Sequence, residues 1–153
     1  MSFEMSAAAF HDRGAIPERF TCDGKDISPA LAWSAPPTGT TSLALVVDDP
    51  DGPAGMWVHW VLYDLPGGLR KLSENLPKNR DLANGARQGR NDFGKIGYNG
   101  PCPPRGPAHR YFFKLYGLSS MTHLESGATK AELESAMRGK ILAQAQLIGT
   151  FQR

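Results

Sequence analysis

The sequence predicts one mostly antiparallel β domain, and three observations lead there. Three runs, SLALVVDD (42–49), MWVHWVLYDL (56–65) and HRYFFKLYGL (109–118), are rich in β-branched and aromatic residues and bounded by turn formers. Only one stretch carries both a start and a stop signal for a helix. Between the second and third runs, ten of the 23 residues from Gly85 to Pro107 are Gly or Pro, which suits neither helix nor strand. No internal repeat or shift in composition divides the chain. A single domain over residues 1–153 is expected, long enough to bury a core without covalent staples.

Taken in order, FEMSAAAF and PALAWSA are weak strand candidates. The run 42–49 ends in DDPDGP, a dense turn signal. Strict alternation in 56–65 places Met56, Val58, Trp60 and Leu62 on one face and Trp57, His59, Val61 and Tyr63 on the other. In 109–118, His109, Tyr111, Phe113 and Leu115 share a face, opposite Arg110, Phe112, Lys114 and Tyr116. Thr129 followed by Glu132 forms a capping box ahead of KAELESAM, and Gly139 supplies the stop. In KILAQAQLIGTFQR, Ala143, Ala145 and Leu147 alternate with Gln144 and Gln146, which predicts a closing strand. The Gly/Pro-rich segment holds Phe93, Ile96, Tyr98 and four prolines, enough to pack as an ordered wall.

Composition excludes several classes of function. Hydrophobic residues at 41% and charged residues at 21% fit a globular chain, and no run approaches the roughly 18 apolar residues of a membrane span. MSFEMSAAAF lacks the basic and long apolar regions of a secretory signal, so a cytoplasmic address is expected. A net charge of +2 with scattered Lys and Arg gives no electrostatic footprint for nucleic acid. Cys22 and Cys102 lie far apart and outside any CxxC pair. Free thiols are expected, with a disulfide only if the fold brings them together. GxSxG, HExxH, Walker A and GxGxxG are all missing, and DDPDGPAGMWVH fails as an EF-hand because of its prolines and missing twelfth-position Glu. No cofactor and no catalytic residue is assigned.

A constellation remains: Asp49 and Asp51 at a strand end, His59 in the next strand, and His109 with Tyr111 opening a third. The residue types alone leave four readings open. The acids can simply turn the chain while His59 sits satisfied in the core. His59, His109 and Asp49 have the ligand count of a metal site without a recognised spacing. Cys102 and His109 could form a nucleophilic pair. The cluster could also line a pocket.

The motifs SPALAW, DDPDGP, WVHW, GYNGPCPP and HRYFFKLYGL, in this order, resemble the phosphatidylethanolamine-binding protein family. The likeness is nearest to its short bacterial branch, often called Raf-kinase-inhibitor-like, and runs from about Phe20 to LIGTFQR. The resemblance implies a Greek-key β fold with a large central antiparallel sheet, a smaller sheet and a peripheral C-terminal helix. It also implies a small anion pocket lined by Asp49, Pro53, Trp57, His59, Gly100, Pro101, Cys102, Pro103, Pro104, His109 and Tyr111. Phosphorylated or other anionic ligands are the expected occupants, with a kinase or protease as a protein partner to be inhibited and a homodimer as a further expectation. A hydrolase or isomerase using His59, His109 and Asp49 is the alternative. Cys22 and Cys102 both fall in segments that match the family branch, so both are expected near the site, where pairing needs Cα atoms within about 7 Å.

Overall fold

Every residue from Ser42 to Asp49 is buried, which suits a run of Leu, Ala and Val with neighbours on both faces. This strand, β4, lies inside the larger of two sheets in the computed structural model, which describes residues 2–153. The strands are β1 (Met5–Ala7), β2 (Gly14–Ala15), β3 (Leu31–Trp33), β4 (Ser42–Asp49), β5 (Trp57–Pro66), β6 (Lys71–Leu72), β7 (Arg87–Gln88), β8 (His109–Leu118) and β9 (Ile141–Phe151), with one α-helix, α1 (Lys130–Met137). The six-stranded sheet runs β2-β9-β8-β4-β5-β7 and the three-stranded sheet β1-β3-β6. All pairings are antiparallel except β2 on β9. β8 returns to lie beside β4 after the β4-β5-β7 meander, which is Greek-key order.

Alternation along β4 sorts the interior into two layers. Leu43, Leu45 and Val47 join Phe113 and Leu115 of β8 and Met5, Leu31 and Trp33 of the small sheet in one core. Ala44 and Val46 face the other way, into a second core closed by Leu133 and Met137 of α1. The helix starts as its sequence dictates. Thr129 Oγ1 accepts from the Glu132 N–H at 3.2 Å, and Glu132 Oε1 accepts from the Thr129 N–H at 2.9 Å. It ends before Gly139, whose φ of +79° is the left-handed conformation expected there. β9 is a strand throughout, as the Ala/Gln alternation predicted.

One predicted pattern fails in an informative way. β5 does not alternate strictly. Val47 lies opposite Trp60, but Asp48 lies opposite Val58, so His59 is an extra residue in a β-bulge. The bulge shifts the phase of the strand. Trp60 and Leu62 join the first core, while Val58, Val61 and Tyr63 join the second. The predicted sharing of one face by Trp57, His59, Val61 and Tyr63 therefore holds only for its first two members. The strands β2, β6 and β7, two residues each, are too short to show any period.

The segment 85–107 contains β7 and is otherwise held by backbone hydrogen bonds to β5, such as the Gly89 N–H to the Val61 carbonyl at 2.8 Å and the Asp92 N–H to the Val58 carbonyl at 2.9 Å, and by side chains. The Asn91 amide donates to the Gly97 carbonyl at 3.0 Å and to Asn99 Oδ1 at 2.8 Å. Its Oδ1 accepts from the N–H groups of Phe93 and Lys95 at 3.0 and 3.2 Å. Tyr98 is buried against Trp60 and donates its hydroxyl to the Phe20 carbonyl at 2.6 Å. Asn91 ties the turn at 93–95 to Gly97 and Asn99.

Asp48, fully buried at the end of β4, points toward the helix layer and meets Lys114 Nζ at 3.2 Å and Lys130 Nζ at 2.8 Å. Lys130 is the first helical residue, so this carboxylate fastens α1 to the sheet. Replacing Asp48 by Asn leaves two half-buried ammonium groups without their counter-ion. The expected cost is about 2–3 kcal/mol, toward the low end for a broken buried pair because both lysines reach water. Urea unfolding of Asp48→Asn checks this, and unchanged stability contradicts it.

Candidate functional site

Asp49, the next residue, faces the opposite way from Asp48 and begins the site. Its Oδ2 accepts from His109 Nδ1 at 2.7 Å, and its Oδ1 accepts from the Asp51 N–H at 2.7 Å. Asp51 in turn takes the Arg110 N–H and Nε at 2.9 Å each and Nη2 at 2.8 Å. That clamp holds the Asp51 carboxyl down at about 2, the Arg110 hydrogen bond being the largest cause. The three acids of DDPD thus have three separate tasks: Asp48 anchors the helix, Asp49 orients His109, and Asp51 pins the turn to β8.

His59, 2% exposed, reaches the same cavity from the bulge. Its Nδ1 lies 2.7 Å from the Asn99 carbonyl oxygen. A carbonyl or a carboxylate only accepts, so both imidazoles carry a proton on Nδ1 and have Nε2 left over. Burial pushes the His59 pKa below its ordinary value, an effect that the Asn99 carbonyl and then Asp49 partly oppose. Tyr111 lies between the two rings, edge-on to His59 at 5.2 Å between centroids and stacked on His109 at 6.5 Å. Its hydroxyl is buried without any hydrogen-bond partner among the described residues. Burial, then Asp49 and Asp51, raises the Tyr111 pKa above the ordinary tyrosine value, so the group stays an O–H donor.

These groups sit in a pocket of about 480 Å³ between the DDPDGP turn and the CPP loop. Of the predicted site residues, Asp49, Pro53, Trp57, His59, Cys102, Pro103, Pro104, His109 and Tyr111 all line it. Gly100 and Pro101 stand behind the wall. The Gly100 N–H donates to Asp26 Oδ1 at 2.7 Å, and the Pro101 carbonyl accepts from the Cys22 N–H at 3.0 Å. Gly100 packs so closely that a Cβ there would lie 2.0 Å from the Phe20 carbonyl oxygen. Their task is to bring two loops together.

Sequence reasoning missed Phe93 and Arg153. Phe93 meets Trp57 edge-on at 5.5 Å, and each residue is 37% exposed, so the two form an apolar lip. Arg153 reaches the pocket because β9 runs beside β8, with Phe151 opposite His109. An aromatic inside a glycine-rich loop was a usable hint for Phe93. Nothing local marked Arg153.

Two of the open readings lose their groups. Cys102 is bonded to Cys22, with Cα atoms 5.3 Å apart, so no Cys102 thiol faces His109 and the expected free thiols are corrected to a disulfide. Asp49 is engaged by His109 and Asp51, and among the described residues no group of three or more His, Cys, Asp or Glu is placed to hold a metal ion.

Comparison with known proteins gives consistent matches. Residues 6–152 match the family model described as phosphatidylethanolamine-binding protein. A protein of Methanothermobacter thermautotrophicus named UPF0098 protein is 50% identical over 145 residues, covering 95% of each chain. Another of that name from Aquifex aeolicus is 49% identical over 152 residues, 98% of this chain and 88% of that one. Among solved structures, a homolog of phosphatidylethanolamine-binding protein from Chlamydia trachomatis, CT736, superposes with a TM-score of 0.91 at 38% identity, covering 99% of this chain and 98% of that one. YbcL of E. coli, titled a new member of the mammalian PEBP family, gives 0.91 at 30% identity, covering 100% and 99%.

The lowered His59 pKa fixes a sign for stability. The unfolded chain takes up this proton near pH 6.5, before the folded protein does. The contribution of neutral His59 is complete above about pH 6.5 and is lost as pH falls from there through the folded-state value. Unfolding free energy measured between pH 7 and 5 is therefore expected to drop more steeply in the wild type than in His59→Gln. Parallel profiles contradict the burial argument.

Proposed function

The chain belongs to the phosphatidylethanolamine-binding protein family, and we propose that it binds the anionic group of a small ligand between His59, His109 and Tyr111. The observation that carries this is the Tyr111 hydroxyl, a buried O–H donor without an acceptor among the described residues, on a ring that packs against both His59 and His109, whose Nδ1 atoms are already committed. A buried unpaired donor costs about 1–3 kcal/mol, and an incoming oxygen removes that cost. Phosphate, sulfate and carboxylate oxygens are suitable acceptors. Trp57, Phe93, Pro53, Pro103 and Pro104 give the mouth an apolar rim, which favours an anion attached to an apolar body.

Binding is coupled to protonation. With Nδ1–H already committed, a neutral imidazole presents only a lone pair at Nε2, which an anion opposes. Adding a proton there turns an acceptor into a donor and supplies positive charge. The ligand raises the pKa of the histidine it contacts, so complex formation takes up protons and affinity declines as pH rises. Asp49 keeps His109 in the orientation that presents Nε2.

Binding is favoured over turnover by the lining itself, which offers no Ser, Thr or Lys and holds its one cysteine in a disulfide. A hydrolase would have to use water activated by an imidazole. Inhibition of a kinase or protease would use the same mouth, with a phosphorylated or acidic side chain of the partner in the pocket.

Calorimetry with sulfate, whose charge is constant across the range, tests the proposal. Affinity is expected to fall as pH rises from 5.5 to 8 and to be lost in His59→Ala and His109→Ala. Tyr111→Phe is expected to weaken sulfate binding while leaving stability unchanged or about 1 kcal/mol higher, since the buried hydroxyl has no partner to lose. A flat pH profile, or unchanged binding in both histidine variants, overturns the proposal. Hydrolysis of a phosphate or carboxylate ester that disappears in His59→Ala would replace it with the enzyme.

A further inference from the structure

The Cys102 half of the Cys22–Cys102 bridge forms part of the pocket wall, yet the loops the bridge joins are already fastened without it. The Cys22 N–H donates to the Pro101 carbonyl at 3.0 Å, and the Tyr98 hydroxyl to the Phe20 carbonyl at 2.6 Å. Asp26 accepts from the Gly100 N–H at 2.7 Å and from Asn99 Nδ2 at 3.1 Å. A domain with two packed cores has little need of a covalent staple. Both cysteines are exposed, the condition under which a disulfide is open to thiol exchange.

Different charged groups lie next to the two sulfurs. Arg153 Nη1 lies 3.7 Å from Cys102 Sγ, and its Nη2 pairs with Asp23 at 3.2 Å. Asp23 follows Cys22 in the chain, and its Oδ1 lies 4.0 Å from Cys22 Sγ. A guanidinium therefore stabilises negative charge on the Cys102 sulfur, and a carboxylate opposes it on Cys22. The better leaving thiolate is Cys102.

We propose that Cys22–Cys102 is an exchangeable disulfide opened by small-molecule thiols, with Cys22 the attacked sulfur and Cys102 the leaving thiolate. The incoming thiolate forms a new S–S bond to Cys22 Sγ as the Cys22–Cys102 bond breaks. The bonding pair departs on Cys102 Sγ beside Arg153. A second thiolate then attacks the thiol-derived sulfur of the mixed disulfide, releasing Cys22 as thiolate and the two small thiols as their own disulfide. Two electrons pass to the protein. Opening leaves a free Cys102 sulfur beside Arg153 in the pocket lining, so the redox state of the bridge changes the chemistry of that wall. None of this rests on the anion-binding proposal.

The test is reaction of the folded full chain with reduced glutathione, trapped at early times with N-ethylmaleimide and mapped by peptide mass spectrometry. The expected result is glutathione on Cys22 and maleimide on Cys102, with an unchanged far-ultraviolet circular dichroism spectrum. Arg153→Gln is expected to slow opening about three- to tenfold, because the leaving thiolate loses its cation, and Arg153→Lys to recover part of the rate. Glutathione found on Cys102, a bridge that opens only when guanidinium unfolds the chain, or an Arg153→Gln rate equal to wild type would each overturn the proposal.

Discussion

The candidate site depends on a mismatch of one residue between two neighbouring strands. Val47 pairs with Trp60 and Asp48 with Val58, and His59, left between them, belongs to neither pair. An unbulged β5 would have kept one alternating phase from Trp57 to Tyr63, and Trp57 and His59 would then share the helix-side face of Val61 and Tyr63. The bulge instead leaves Trp57 and His59 on the pocket side while Trp60 to Tyr63 fill both cores, before a second register shift opposite Leu43 and Leu45. A bulge costs ladder regularity, and here Asn99 compensates at both ends of the residue. Its carbonyl accepts from His59 Nδ1 at 2.7 Å, and its N–H donates to the His59 carbonyl at 3.2 Å.

Around that residue, the fold uses the two faces of β4 for different purposes. The face toward α1 ends in Asp48 and its lysines, a charge cluster that fixes the helix. The face toward the small sheet ends in Asp49, which fixes an imidazole instead. Consecutive acids at a strand end thus belong to separate layers 180° apart, and a substitution at one is not a proxy for the other. The DDPDGP turn gives the pocket one rim and supplies Asp51, whose clamp on Arg110 sets where β8 begins relative to β4.

What could be read from the sequence followed the range of the interactions involved. β4 was legible to the residue as an apolar β-branched run closed by a turn signal, β8 because its faces alternate without interruption, and α1 because its capping box is a local chemical signal. The phase of β5 was legible only up to His59, since the bulge is a property of its pairing with β4. In the site, the histidines, Asp49 and Tyr111 stood out by residue type. Arg153 did not, because it arrives through the register of β9 on β8 across the whole length of the chain. The disulfide was likewise decided by loop packing, through Asp26, Gly100 and the Cys22–Pro101 hydrogen bond, which no spacing rule encodes. Gly100 and Pro101 were identified from the motif that contains them, yet their role is to position the wall that Cys102, Pro103 and Pro104 present.

The central claim is that His59 and His109 carry the anion through Nε2, with Nδ1 held by the protein. Two-bond proton–nitrogen correlation spectra of the imidazoles report the protonation state of each ring nitrogen separately. In the free protein near pH 7, His59 is expected as the neutral Nδ1–H form with Nε2 bare. Saturating sulfate is expected to convert at least one of the two rings to the form protonated on both nitrogens, with its Nε2 signal moving most. If Nε2 of both histidines keeps its free-state shift at saturating sulfate, the anion is bound elsewhere or not at all, and the account of the pocket fails.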